Sequence, residues 1–392
     1  MTVKHFILSG LCASIGLAAG LPAHAWDLWD DFKAASIENA RVVDRSDERR
    51  ITTSEGQSYA LFFALAADDR AAFDQLLVWT EKNLAGGDLT KTLPSWLWGE
   101  DKASKSWKVL DTNNAADSDM WIAYDLLEAG RLWKNDGYTA KGRAMLELLK
   151  KEVRTVEHLG DVILPGRVGF EKNGLVKLNP SYYPLFILKR FALEDAYWQK
   201  VYEGSLRMLV RSAPSGYAPE WAQFDQNGRL AASKGSDYEV GSYNAIRTYL
   251  WVGMMSPLDP AAPILRRHFK PFVEITRTMN TPPEEVSAAS GDVSGPGPAY
   301  FGACVLELLN GDRTAGLIRS ALMADPVNPD RYYGNVLNLY GLGFDAGRFA
   351  FNPDGRLLLP AKTESPEPAL KPNLKSAAAE AAAASNASGS DK

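Results

Sequence analysis

The chain has 392 residues, with 43 Lys and Arg against 48 Asp and Glu, a formal charge of −5 with His neutral. That mildly acidic balance disfavours nucleic acid and anionic membrane surfaces as partners. Two cysteines in so long a chain leave no thiolate metal site and no disulfide framework, so stability has to come from a buried core.

Lys4 and His5 precede an apolar stretch over residues 6–21, Pro22 ends it, and Ala23-His24-Ala25 is a small-x-small cleavage signal. This is the layout of a secretory signal peptide. A membrane anchor would need ~20 residues of stronger apolarity, and Leu11 before Cys12 is too large for a lipoprotein site. Residues 1–25 are therefore expected to be removed, leaving Cys304 alone and the mature chain periplasmic or secreted. No later segment reads as a membrane span, and no metal or cofactor is called for.

Residues 26–360 read as helices of two kinds. Amphipathic segments, with apolar residues at three- and four-residue spacing, cover 26–40, 71–84, 138–153, 196–210, 262–277 and 313–323. Between them lie segments that are apolar all round and open with small, polar or turn residues: 54–67, 117–133, 180–191, 242–254, 298–309 and 332–342. A helix apolar on every side is buried. Strict alternation with short connections predicts an all-α (α/α)6 barrel, six inner helices ringed by six outer ones. A helical solenoid would repeat in length and motif, and these segments do not. Residues 161–168 and 174–178 are the best strand candidates, expected as one small β-hairpin. Residues 361–392, rich in Ala, Ser and Pro with no aromatic residue, read as a disordered tail.

The polar starts of the inner helices gather at one end of such a barrel. Long loops lead into them: residues 85–116 carry Trp96, Trp98 and Trp107, and residues 212–241 carry Tyr217, Trp221, Phe224 and Tyr238. Loops of this length are functional or disordered, and their aromatic content argues for a cleft. The chain has 11 Trp, 15 Tyr and 15 Phe; flat rings with a polar edge suit sugar stacking, although a large helical core also uses many.

Two of these helix starts carry carboxylates. Glu55 lies in the first turn of an inner helix, behind Thr53 and Ser54 as caps. Alone it is a dipole partner. The apolar run after it predicts a desolvated carboxyl with a raised pKa, as a general acid requires. Asp117 and Asp119 open the next inner helix, one of them expected to serve only as cap or dipole partner. Carboxyl groups facing each other across a cleft are the arrangement of a glycosidase.

The segment Ser54-Glu55-Gly56-Gln57-Ser58-Tyr59, the loop Leu93-Pro94-Ser95-Trp96-Leu97-Trp98-Gly99 and the helix 117–133 together resemble glycoside hydrolase family 8. Asn179-Pro180-Ser181-Tyr182 and Ser242-Tyr243-Asn244-Ala245-Ile246-Arg247 add to the resemblance, which covers residues 26–360. It implies an inverting endo-β-1,4-glucanase acting on cellulose-like polysaccharide, with Glu55 as proton donor and Asp117 as the residue that distorts and stabilises the sugar at the scissile bond. Trp96, Trp98, Tyr183, Tyr243 and Arg247 are the expected substrate-binding residues, with Arg247 also a partner for a carboxylate. A functional association with the cellulose synthase machinery is implied as well. Many members have Asp where this chain has Asn244, and an amide cannot take a proton from water. Asp237 is the first choice for a relocated base and Glu239 the second, each with the alternative of a solvated loop charge. The rival readings are a catalytically weak β-glucan-binding protein, favoured by Asn244, and a chitosanase or xylanase on the same fold.

Overall fold

The computed structural model describes residues 26–360; the leader expected at residues 1–25 and the tail expected at residues 361–392 lie outside the described residues. The outer helices are Asp27–Ser36, Arg70–Leu84, Asp136–Leu149, Tyr197–Ser212, the broken pair Ala261–His268 and Lys270–Met279, and Arg313–Met323. The inner ones are Ser54–Ala66, Ala116–Leu132, Leu185–Ala192, Ile246–Met254, the two 3-10 segments Ala299–Cys304 and Leu306–Leu309, and Tyr332–Asp345. Together they form the expected (α/α)6 barrel.

Apolarity decides which helix goes where. In Arg70–Leu84 only Phe73, Leu76, Leu77, Thr80 and Leu84 are buried, a stripe along one side. In Ser54–Ala66 every residue is buried except Glu55. Inner helices meet along the axis through aromatic rings. Tyr340 lies 5.2 Å from Tyr59, 4.6 Å from Phe63, 5.4 Å from Trp121 and 5.2 Å from Trp251, centroid to centroid, so one ring joins four inner helices. The ring closes where the first helix packs on the last. Trp26 meets Phe63 edge-on at 6.0 Å and lies so close to Gly343 that a Cβ there would stand 2.7 Å from the indole.

Local chemistry explains the departures from regular helix. The third inner helix begins only after the 3-10 turn Pro180–Tyr182 and Pro184, which fixes an extended backbone. The fourth starts at Ile246 rather than at residue 242, because the turn before it is tied to a loop carboxylate instead. The fifth outer helix breaks at Phe269, ahead of Pro271. The expected hairpin is corrected. The two strand candidates do not pair with each other: Val153–Val156 pairs with Gly160–Ile163, while Leu175–Leu178 pairs with Glu171–Lys172 and with Ala222–Phe224. A three-stranded sheet of Thr52–Thr53, Leu97–Glu100 and Trp107–Asp111 was not foreseen.

A C-terminal strap covers one end of the barrel. Its strands Ala350–Phe351 and Leu357–Leu358 pair antiparallel, and Phe351 stacks on Phe186 at 4.0 Å. Tyr124 Oη donates to Gly355 O at 2.9 Å. Gly355 has φ +76 and presses so closely on the third inner helix that a Cβ would stand 1.8 Å from Phe186 O. Buried Glu128 accepts from Arg131, from Arg190 at 2.5 Å and from Leu357 N at 2.8 Å. Glu128 lies about 16 Å along its helix from Asp117 at ~1.5 Å per residue, so the strap caps the end away from the helix starts.

Candidate active site

At the open end the start of the first inner helix is set by two loops. Thr53 Oγ1 caps the helix by accepting from Gly56 N at 3.0 Å. Ser54 N donates to Trp96 O at 3.0 Å, and Trp96 N donates to Asn113 O at 2.8 Å. The half-buried Trp96 thus bridges the segment before Glu55 and the segment before Asp117, and its indole also bonds to Asp111.

Glu55 keeps 24% of its side chain exposed and pairs with Arg247, which is 3% exposed. Tyr332 Oη donates to the other Glu55 oxygen at 3.2 Å. Arg247 reaches further: its Nη1 donates to Tyr59 Oη at 3.2 Å, and its Nη2 donates to Ser181 Oγ at 3.3 Å and to Asn244 Oδ1 at 3.0 Å. One cation, from the fourth inner helix, therefore ties together the first inner helix, the turn before the third and the turn before its own. Arg247 was expected to bind substrate and to pair with a carboxylate; the structure shows it buried and paired with Glu55.

Asp117 is buried and accepts from Ser118 N at 2.8 Å. Burial pushes its carboxyl up from the ordinary 3.8 to about 6, Arg247 opposing the rise and Glu55 adding to it. Asp119 is the structural member of the pair: it accepts from Asn114 Nδ2 at 2.8 Å, and Asn114 in turn receives Arg167 N at 2.8 Å. Its carboxyl is held far above the carboxylate range by burial. Asp117 is the buried, desolvated carboxyl of the two, and Glu55 stands at the edge of the cleft, paired with Arg247.

One expected substrate residue changes places with its neighbour. Tyr183 is buried, 2% exposed, with its hydroxyl on Ile163 O, and so fills the core. Tyr182 faces the site instead, its ring 6.0 Å from the Arg247 guanidinium. The 3-10 turn at Pro180–Tyr182 sets which of the two consecutive tyrosines points inward. Trp98 stacks with Trp107 at 5.1 Å, meets Trp79 edge-on at 5.2 Å, and has Arg41 5.0 Å above its ring. Tyr243 is 43% exposed, with its hydroxyl on Glu284 at 3.2 Å.

Aromatic faces run across the mouth on both sides of Arg247. Phe170 stacks on Trp221 at 5.8 Å, and Trp221 meets Tyr182 at 5.9 Å. On the other side Tyr333 lies 5.9 Å from Arg247 and 6.4 Å from Tyr243. A cavity of about 390 Å³ continues the strip past Trp221, lined also by Gln223, Ser233 and Tyr238. Tyr332 and Tyr333 were missed in the sequence because they open an apolar run that reads as core throughout.

The loop carboxylates are distributed differently from the sequence expectation. Asp237 is exposed and faces Lys177 Nζ at 3.4 Å, and Glu239 turns back to accept from Gly235 N at 3.2 Å. The carboxylate that reaches Asn244 is Glu220, which accepts from Asn244 Nδ2 at 2.6 Å. Nothing in the pattern around Pro219-Glu220-Trp221 signals that contact, since the two residues come together only through the folded loop. Among the described residues no group of His, Cys, Asp and Glu is placed to hold a metal ion, and no helix is long and apolar enough to cross a membrane.

The chain is 45% identical over 361 residues to an endoglucanase of Escherichia coli O157:H7, covering 90% of this chain and 97% of that one. It is 40% identical over 377 residues to an endoglucanase of Xanthomonas axonopodis pv. citri, covering 91% and 97%. An endo-1,4-D-glucanase from Vibrio fischeri ES114 superposes with a TM-score of 0.80 at 42% identity, covering 86% of this chain and 99% of that one. The family description "Glycosyl hydrolases family 8" matches residues 8–347, and the chain belongs to that family.

Proposed function

We propose that the protein hydrolyses internal β-1,4 bonds of a cellulose-like glucan with inversion at the anomeric carbon. Glu55 gives its proton to the leaving oxygen, and Asp117, once ionised, stabilises the positive charge of the distorted ring. The observation that carries this reading is the ion pair of Glu55 with Arg247, whose charges both act on the buried Asp117 carboxyl, between two banks of aromatic faces. Relatives named endoglucanase along nearly the whole chain support the substrate class.

Tyr182, Trp221, Tyr333 and Tyr243 are the stacking surfaces of this reading, with Trp96 at the junction of the two acidic helix starts. Asn244 orients the attacking water. Asp237 can serve as base only by leaving Lys177, so native activity in Asp237→Asn removes it from the mechanism. In the same reading the protein is exported and works beside the machinery that synthesises the glucan. Altered chain length of the glucan made by cells lacking the protein is the expected sign of that role.

The test is release of reducing ends from carboxymethylcellulose, chitosan and xylan, with the anomer of the first product read by NMR. Release from carboxymethylcellulose with the α-anomer first is expected. One observation favours a binding-only protein, the amide at position 244; retained glucan affinity without any release on the three polymers would establish it.

A further inference from the structure

The side chain at position 244 is gripped from two directions. Glu220 accepts from Ser242 N at 2.7 Å, from Ala245 N at 3.0 Å, from Asn244 N at 3.0 Å through each oxygen, and from Asn244 Nδ2 at 2.6 Å. From the other side Arg247 Nη2 donates to Asn244 Oδ1 at 3.0 Å, and Arg247 carries Glu55 on its second nitrogen. An amide has one accepting and one donating end. With an anion on one side and a cation on the other, a single orientation satisfies both.

These four donors fill the roughly four lone-pair positions of the Glu220 carboxylate. None is left to receive a water, so Glu220 is not placed to act as the base. A carboxylate at position 244 would keep the Arg247 contact but set a second negative oxygen at hydrogen-bond distance from Glu220. Two carboxyls so placed hold one proton between them.

We propose that Glu220 is a positioning residue of the active site. It fixes the turn that opens the fourth inner helix, aims the Asn244 oxygen at Arg247, and by its charge makes an amide, rather than an acid, the group that fits position 244. The catalytic part of this proposal rests on the glucanase reading; the pairing itself does not. Other charged and titratable groups face the pair. Arg247 lies on the same helix with Glu55 behind it, Tyr333 of the sixth inner helix senses the Glu220 charge, and Glu284 binds Tyr243 Oη through its carboxyl and Ser242 Oγ through its backbone oxygen.

Four proteins decide the matter: native, Glu220→Gln, Asn244→Asp and the double variant. Thermal melting between pH 4.5 and 8 needs no substrate. Asn244→Asp is expected to melt below native by a gap that widens as pH rises, because the shared proton stabilises the folded state and is lost on the alkaline side. In the double variant the amide introduced at position 220 donates to the carboxylate introduced at position 244, and the widening disappears. On carboxymethylcellulose, Glu220→Gln is expected to lower kcat roughly ten- to a hundred-fold with little change in KM, and the double variant to recover kcat above either single one. Should Glu220→Gln fail to fold, Glu220→Asp keeps the charge but withdraws it from Asn244, and the same loss of kcat is expected. A gap independent of pH in Asn244→Asp, or native kcat in the Glu220 variants, overturns the proposal. A native protein inactive on every β-glucan, with melting curves as described, would sink the glucanase reading and leave the pairing standing.

Discussion

At the scale of single residues, chemistry at the mouth turns on two acids near one arginine, of which only Glu55 pairs with it directly. Glu55→Gln keeps the shape and a hydrogen-bond acceptor for Arg247 but removes the transferable proton. Turnover on carboxymethylcellulose should fall ~10²–10⁴-fold while glucan affinity, read by affinity electrophoresis, holds. Asp117 adds a pH signature. Its carboxyl sits near 6 in the folded protein against 3.8 ordinarily. A raised acid binds its proton more tightly when folded, so its contribution to stability is present at low pH and is lost as pH rises through about 6. Asp117→Asn should therefore melt higher relative to native at pH 7 than at pH 4.5. Charge stabilisation needs the ionised form, so native kcat should fall as pH drops below about 6. A flat difference in melting temperature would show that Arg247 cancels the burial. Glu55 and Asp117 were legible in the sequence, since each is an acid opening an otherwise apolar helix. The partner that reaches Glu55 from position 247 was only half legible: helical spacing from Asn244 was visible, the carboxylate it would meet was not.

At the scale of elements, periodicity identified helices well and their first turns poorly. The alternation of apolar and amphipathic segments follows from which side chains can be wetted, and every expected helix has a counterpart. Starts are decided by hydrogen bonds that periodicity does not register, such as the Glu220 contacts that delay the fourth inner helix to Ile246. Strand pairing failed for the same reason: the partner of residues 175–178 includes Ala222–Phe224, far along the chain. The tyrosine pair shows what a single turn changes. Tyr183→Ala should cost ~3–5 kcal/mol of stability in a denaturant titration, as a buried ring lost from the core. Tyr182→Ala should leave melting nearly native and weaken glucan binding. The reverse result would return Tyr183 to the cleft.

On the scale of the whole molecule, the barrel holds its acidic mouth open by closing everything else. Glu128 anchors the strap at the far end, and its burial with Arg190 makes it costly to disturb. Glu128→Ala leaves Arg190 without that partner inside the protein, and a loss of ~3–5 kcal/mol is expected by chemical denaturation. A loss under ~1 kcal/mol, the worth of an ordinary exposed pair, would show that Arg190 finds Glu194 sufficient, the 2.8 Å pair on its other nitrogen.

The strap and the pairing of first helix with last bear on how the chain reaches this state in time. Asp27–Ser36 packs in part on Tyr332–Asp345, and residues 351–357 complete the cover over Phe186 and Tyr124. Contacts joining the two ends of a sequence are the slowest to form, because the chain between them must first be ordered. A partial polypeptide emerging N-terminus first, from a ribosome or through a membrane, cannot assemble a finished core until its final segment has arrived.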